Sequence, residues 1–225
     1  MLKFEEIYHR AAENKGGVVE LELLLPEIPL SVAVAELDES RFLAEMTRCI
    51  FQAGFSWRVI EQKWSGFEDV FHGFDVNTIL GLLSEEWEEI RLDKRIVRNN
   101  QKISSVRANA QFIEDMAVEK GSFGSFIAGW PESDLIGLLE LLKKRGSRLG
   151  GNSGQRLLRN VGKDSFFLGR DVVKCLQDSG LSIKENPSSK GELKAIQQAF
   201  NRWHEESGRS YTHLSKVAAY SISSS

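Results

Sequence analysis

Residues 143–163 read KKRGSRLGGNSGQRLLRNVGK, with seven basic residues, five glycines and no acid. The chain as a whole is acidic, with a formal charge of −3 and a pI near 5.9. Such a run is either a solvated helix end with a loop or a place for phosphate. Leu149-Gly150-Gly151-Asn152-Ser153-Gly154 separates a basic helix from a second helix expected to start near Gln155. Glycines let successive amides face one concavity with no Cβ in the way. The following helix aims its N-terminal amides and positive dipole end at the same place. Lys143, Lys144, Arg145, Arg148 and Arg156 flank the turn. This suits a phosphodiester backbone, gripped by geometry and not by base sequence. A nucleotide P-loop does not fit, because Asp164 follows Gly162-Lys163 and no glycine stands five residues before Gly162.

Around this stretch the sequence reads as helical nearly throughout. A first helix is expected over 3–15, stopped by Gly16-Gly17, while 20–36 is ambiguous because of Pro26 and Pro29. Ser40 is a candidate cap for a helix to Phe51, with Phe42, Leu43, Met46, Ile50 and Phe51 at helical spacing. Asn100 opens a long helix ending at Gly121, and Ser189 with Glu192 has capping-box spacing. A last helix covers about 212–221, and the terminal SISSS is expected to fray. SFFLG at 165–169 is the sole strand candidate, too short to assign. These elements predict an all-α protein: a single two-lobed domain over 1–225. Its middle lobe would span about 55–132, and its second lobe would come from both chain ends.

The composition, 41% hydrophobic and 27% charged, fits a globular protein. No apolar run approaches the ~20 residues that cross a bilayer, and MLKFEEIYHR has no signal-peptide core. Cys49 and Cys175 cannot build a disulfide framework and suit a reducing, cytoplasmic setting. The acidic balance leaves nucleic-acid binding open, since binding depends on where charge lies.

LGGNSG followed by a helix resembles the helix-hairpin-helix of DNA glycosylases, whose core is usually Leu-Pro-Gly-Val-Gly; here Gly150 replaces the proline and Asn152-Ser153 replace Val-Gly. CIFQAGFSWRVIEQKWSGFEDVFHGFD at 49–75 resembles the 3-methyladenine DNA glycosylase I family, whose signature contains Gln-Ala-Gly-Leu-Ser-Trp. RIVRNNQKISSVRANAQFI at 95–113 and LLKKRG at 141–146 are similar to the same family. The likeness covers roughly residues 38–182. It implies the two-lobed helix-hairpin-helix fold and a base-excision glycosylase acting, as a monomer, on double-stranded DNA with a damaged base. It also implies that Asp171, twenty residues after Gly151, is the catalytic aspartate. The chain departs from the family in two ways. The family's base-reading glutamate is Cys49 here, and its structural zinc ligands are missing: there is no N-terminal cysteine, and Cys49, Cys175, His204 and His213 have no zinc spacing. No metal and no cofactor are therefore expected, beyond the weak monovalent cation that related hairpins hold.

A base-excising enzyme must extrude its target into a pocket with flat apolar faces and edge-reading polar groups. Phe55 and Trp57 are candidate faces, with Gln52 and Cys49 at the edge; aromatics at such spacing are also common in cores. Trp64, Trp87, Trp130 and Trp203 are read as core. Breaking an N-glycosidic bond builds positive charge on the sugar, which a carboxylate stabilises. Asp171 is the candidate, with an N-cap as its plainer role; Glu45, one turn before Cys49, is second, with a solvated helix face as its alternative. Arg148, Gly150, Gly151, Asn152, Ser153, Gly154 and Arg156 are the candidate DNA contacts. A basic helix over 91–107, including Arg91, Arg98, Lys102 and Arg107, either flanks the duplex or is plain surface. No lysine occurs in 150–155, so strand-cleaving lyase activity is not expected. The resulting expectation is a monofunctional glycosylase for an alkylated purine. The alternative, favoured by the loss of the glutamate at Cys49, is a non-catalytic binder of damaged or distorted DNA.

Overall fold

The structure, a computed structural model, describes residues 1–223. It is all-α, and the described residues contain no strand. In chain order the helices are α1 (Phe4–Lys15), α2 (Val18–Leu23), α3 (Ser31–Ala35), α4 (Glu39–Gln52), α5 (Trp57–Gln62), α6 (Trp64–Val70), α7 (Val76–Gly81) and α8 (Ser84–Leu92). They continue with α9 (Asn100–Lys120), α10 (Phe123–Gly129), α11 (Leu135–Arg145), α12 (Asn152–Asn160), α13 (Arg170–Asp178), α14 (Lys190–Ser207) and α15 (Tyr211–Tyr220).

The chain divides into two compact units. The first comprises Met1–Pro29, Pro131–Leu138 and Asp164–Ser225. Its core gathers Phe4, Ile7, Phe166, Phe200, Trp203 and Leu214, with the Phe166 and Phe200 rings stacked 4.4 Å apart. The 165–169 segment is extended but forms no ladder, because hydroxyls of α15 take the place of a partner strand. Phe167 N–H donates to Ser215 Oγ (2.9 Å), and Ser165 N–H donates to Thr212 Oγ1 (3.2 Å). At the end of the chain, Ser221 is buried and its Oγ donates to the Ala218 carbonyl (2.8 Å). The rest of the fraying expected of SISSS falls in part on residues 224 and 225, outside the described residues.

The second unit comprises Leu30–Trp130 and Leu139–Lys163, and the hairpin at 149–154 belongs to it. Helix α4 is its centre, packed against α9 and α12. Phe42, Leu43, Met46 and Phe51 of α4 are fully buried, each worth about 1.5–3 kcal/mol. Aromatic pairs extend the core, Phe51 on Phe67 at 4.8 Å and Phe42 on Phe123 at 5.1 Å. The cap of α4 is Asp38, whose Oδ1 accepts from Ser40 N–H (2.8 Å), so the helix starts one residue before Ser40.

The basic helix expected over 91–107 is two helices with a break. Asp93 accepts from the backbone N–H of Arg95 at 2.7 Å and binds its guanidinium, closing a turn after α8. Ile96 is then buried, and Asn99 Oδ1 caps α9 by accepting from Lys102 N–H at 3.1 Å. Polar turn chemistry at Asp93 and Asn99 overrides the local helical charge pattern.

Candidate functional site

The last turns of α4 place Glu45, Arg48, Cys49 and Gln52 in one neighbourhood. Asn160, at the end of α12, donates from Nδ2 to Glu45 Oε1 at 2.6 Å. The Cys49 thiol donates to the same oxygen at 3.4 Å, and Arg48 Nε lies 3.9 Å from the other carboxylate oxygen. Burial, and then the adjacent Glu45 charge, push the Cys49 thiol well above the usual cysteine range, so it stays an S–H donor at neutral pH. Gln52 Nε2 donates to Glu61 Oε1 at 3.0 Å, and Arg48 reaches Glu61 at 3.9 Å. Position 49 thus carries a thiol that donates to a carboxylate one turn earlier.

A tight turn follows α4 and presents two aromatics. Gly54 (φ 87°) reverses the chain, Phe55 is 37% exposed, and Trp57 at the start of α5 is 48% exposed. Lys102 holds this turn from behind. Its ammonium is buried and donates to the carbonyls of Ile50 (2.8 Å) and Ala53, while lying 4.5 Å from the Phe55 ring centroid. A cation there satisfies carbonyls that the end of α4 leaves open and complements its dipole. Burial, then the Arg148 charge, lower the Lys102 pKa from its usual value. Lys102 is therefore a structural strut and not the surface charge expected from the sequence.

The hairpin is built by α11, the turn 146–151 and α12. Helix α12 begins at Asn152, not near Gln155, so Asn152, Ser153 and Gly154 form its first turn. Gly151 is the N-cap at φ 59°, and a Cβ there would meet nothing within 4 Å. Gly154 is required by close approach, because a Cβ would sit 2.5 Å from the Leu149 carbonyl oxygen. Gly150 packs against the Lys143 stem. Arg148 takes a left-handed conformation (φ 61°) and donates to Gln101. Asn109, fully buried on α9, grips the turn twice: its Nδ2 donates to Ser147 O (3.1 Å), and its Oδ1 accepts from Ser147 N–H (2.7 Å).

Not all of the counted charge faces outward. Arg145 is tied to Glu119 (2.8 Å), and Lys163 is buried with its ammonium on the carbonyls of Ala128 (3.0 Å) and Trp130 (2.5 Å). Arg156 lies over the Trp57 ring. Lys143, Lys144 and Arg148 remain exposed beside the hairpin. Of the tryptophans read as core, Trp87 and Trp203 are buried, whereas Trp64 and Trp130 are half-buried.

Asp171 lies in the first unit, exposed, in the first turn of α13. It does not cap that helix: the N-cap is Gly169, with no side-chain bond. The capping alternative for Asp171 is thus corrected, because the helix starts at Arg170, two residues earlier than an Asp171 cap requires.

Asn109, Asn160 and Lys102 were not singled out from the sequence as parts of the site. Their one signal is a polar residue standing among apolar ones at helical spacing, which surface positions also produce.

Residues 33–137 match the model of the methyladenine glycosylase family. That stretch contains the 45–57 cluster and stops short of the hairpin. A 3-methyladenine DNA glycosylase I from Staphylococcus aureus, solved to show how it recognises 3-methyladenine, is 20% identical, with a TM-score of 0.51 over 69% of this chain and 91% of that one. A 3-methyladenine DNA glycosylase I in complex with 3-methyladenine is 19% identical, with the same TM-score and the same coverages. At these identities the likeness to solved structures establishes the all-α fold. The family match makes residues 33–137 similar to the methyladenine glycosylases.

Proposed function

We propose that this chain is a monofunctional glycosylase that extrudes an alkylated purine from duplex DNA and hydrolyses its N-glycosidic bond. The observation that carries the reading is the exposed Trp57 face on the unit that also bears a carboxylate held by Asn160 and Cys49, inside the family-matched stretch. Trp57 and Phe55 offer stacking surface to a flipped base, and Gln52 offers an edge partner. Glu45 supplies the negative charge that Cys49 does not, which favours the enzyme over a mere binder. The hairpin amides at 151–154 and the exposed Lys143, Lys144 and Arg148 hold phosphates, positioning the duplex without reading sequence.

Water adds to the sugar C1′ as the bond to the base nitrogen breaks, and the base leaves with the electron pair. The water proton departs to solvent. Asp171 is the proposed carboxylate opposing charge on the sugar, on the strength of its spacing from the hairpin glycines; Glu45 is assigned to the base side. The test is incubation with alkylated duplex DNA and mass analysis of released bases. Free alkylated purine with intact strands supports the proposal. Tight binding to alkylated duplex with no release shows the non-catalytic binder instead.

A further inference from the structure

The exposed Trp57 ring is not bare. The Arg156 guanidinium lies 4.2 Å from its centroid. Nearby, Arg48 lies 4.1 Å over Trp64 and approaches both Glu45 and Glu61 at 3.9 Å. Aromatic faces with carboxylates close by attract planar cations, through the ring quadrupole and through charge. Arg156 is well placed for two tasks, because it stands one turn after Asn152, on the helix that leaves the hairpin.

We infer that Arg156 is a specificity-determining plug: in the free protein it covers the Trp57 face that an extruded base takes, and it moves to the DNA backbone when a duplex docks on the hairpin. For the identity of the extruded base the inference rests on the glycosylase reading; for the coupling of docking to an open face it does not. An extruded base must displace a planar cation already stacked there. A cation on an indole is worth about 2- to 30-fold in an equilibrium, so every base pays that factor until Arg156 finds a phosphate. Bases that stack poorly are rejected first. The same side chain then adds to duplex affinity, so removing it moves base binding and duplex binding in opposite directions. A purely structural arginine would not do this.

The experiment replaces tryptophan with 5-fluorotryptophan and follows fluorine resonances, with Trp57→Phe identifying the Trp57 signal. Arg156→Ala should shift that signal, tighten binding of free 3-methyladenine about 2- to 30-fold and weaken binding to undamaged duplex. Arg156→Gln keeps much of the length without the charge and guards against loss of folding. Saturating wild type with undamaged duplex should move its Trp57 signal toward the Arg156→Ala position. The plug is overturned if the signal ignores bound duplex, or if removing Arg156 leaves free-base affinity unchanged or lower. If neither protein binds the base, the specificity role of Arg156 is overturned, whatever the Trp57 signal does on docking. A wild type that releases no base, yet whose Trp57 signal follows the duplex, retires the glycosylase reading and keeps the plug. Base release with an unmoved signal does the reverse.

Discussion

Lys102→Met tests how the site is held. Lys102 is 8% exposed, and its ammonium donates to the Ile50 and Ala53 carbonyls, with Phe51 O at 3.4 Å. Methionine fills a similar volume but donates nothing. A hydrogen bond to a charged group contributes about 1.5–3 kcal/mol net, and a buried acceptor left unpaired costs about 1–3 kcal/mol. Removing the buried charge returns part of this by ending its desolvation cost. The balance is a loss of about 2–4 kcal/mol. With a urea slope of about 2 kcal/mol per molar, the unfolding midpoint falls by about 1–2 M. Lys120→Met, at an exposed position, serves as the control and should stay within about 0.5 kcal/mol. The 53–57 turn should also loosen, so base release should fall more than duplex binding. A Lys102→Met protein within about 0.5 kcal/mol of wild type would refute the reasoning and mean that water caps α4 in its place.

Asp171→Asn should lower single-turnover base release on the order of 10²- to 10³-fold while duplex affinity holds, since the charge acts on the transition state. Because Gly169 and not Asp171 is the cap, stability should hardly change; equal rates would remove Asp171 from the chemistry. Gly151→Val forces a β-branched residue to φ 59° and ψ −133°, a region that favours glycine, at a site with open space in front, so the protein should fold with about 1–3 kcal/mol less stability. Its binding should weaken for duplexes of any sequence, and unchanged affinity would take the hairpin out of the DNA contact. Cys49 and Cys175 are buried with thiols raised above the usual range, so iodoacetamide at neutral pH should label the unfolded chain much faster than the native one. Equal labelling would show that Cys49 is not the S–H donor to Glu45. Glu192 accepts from Ser189 Oγ and from the backbone N–H groups of Lys184 and Ser189, which lower its pKa to about 2. Its folded pKa lies below the unfolded one, so its contribution is present above roughly pH 4.5 and disappears toward pH 2. The gap between wild type and Glu192→Gln should close over that window, and a gap that persists unchanged at pH 2 would exclude the carboxylate as its source.

What the sequence determined by itself was what local chemistry controls. Gly16 and Gly121 stop their helices with φ of 92° and 89°, and Ser189 with Glu192 forms the capping box. Each outcome depends on a few neighbouring residues. The hairpin was legible for the same reason, as a glycine turn between two helical patterns, although α12 starts three residues earlier than Gln155. Tertiary structure decided which charges are available. Lys102, Lys163, Arg145 and Arg156 look alike in sequence, one cation on the basic 91–107 run and three beside or near the turn. Two are buried on helix-end carbonyls, one is held by Glu119, and one covers Trp57. No local pattern separates these fates, because each is set by a partner 26 to 99 residues away, and a buried ammonium is tolerable only where distant carbonyls converge to replace its water. The same holds for Glu45. One turn from Cys49 it reads as a solvated acid, until Asn160, 115 residues on, arrives to orient it.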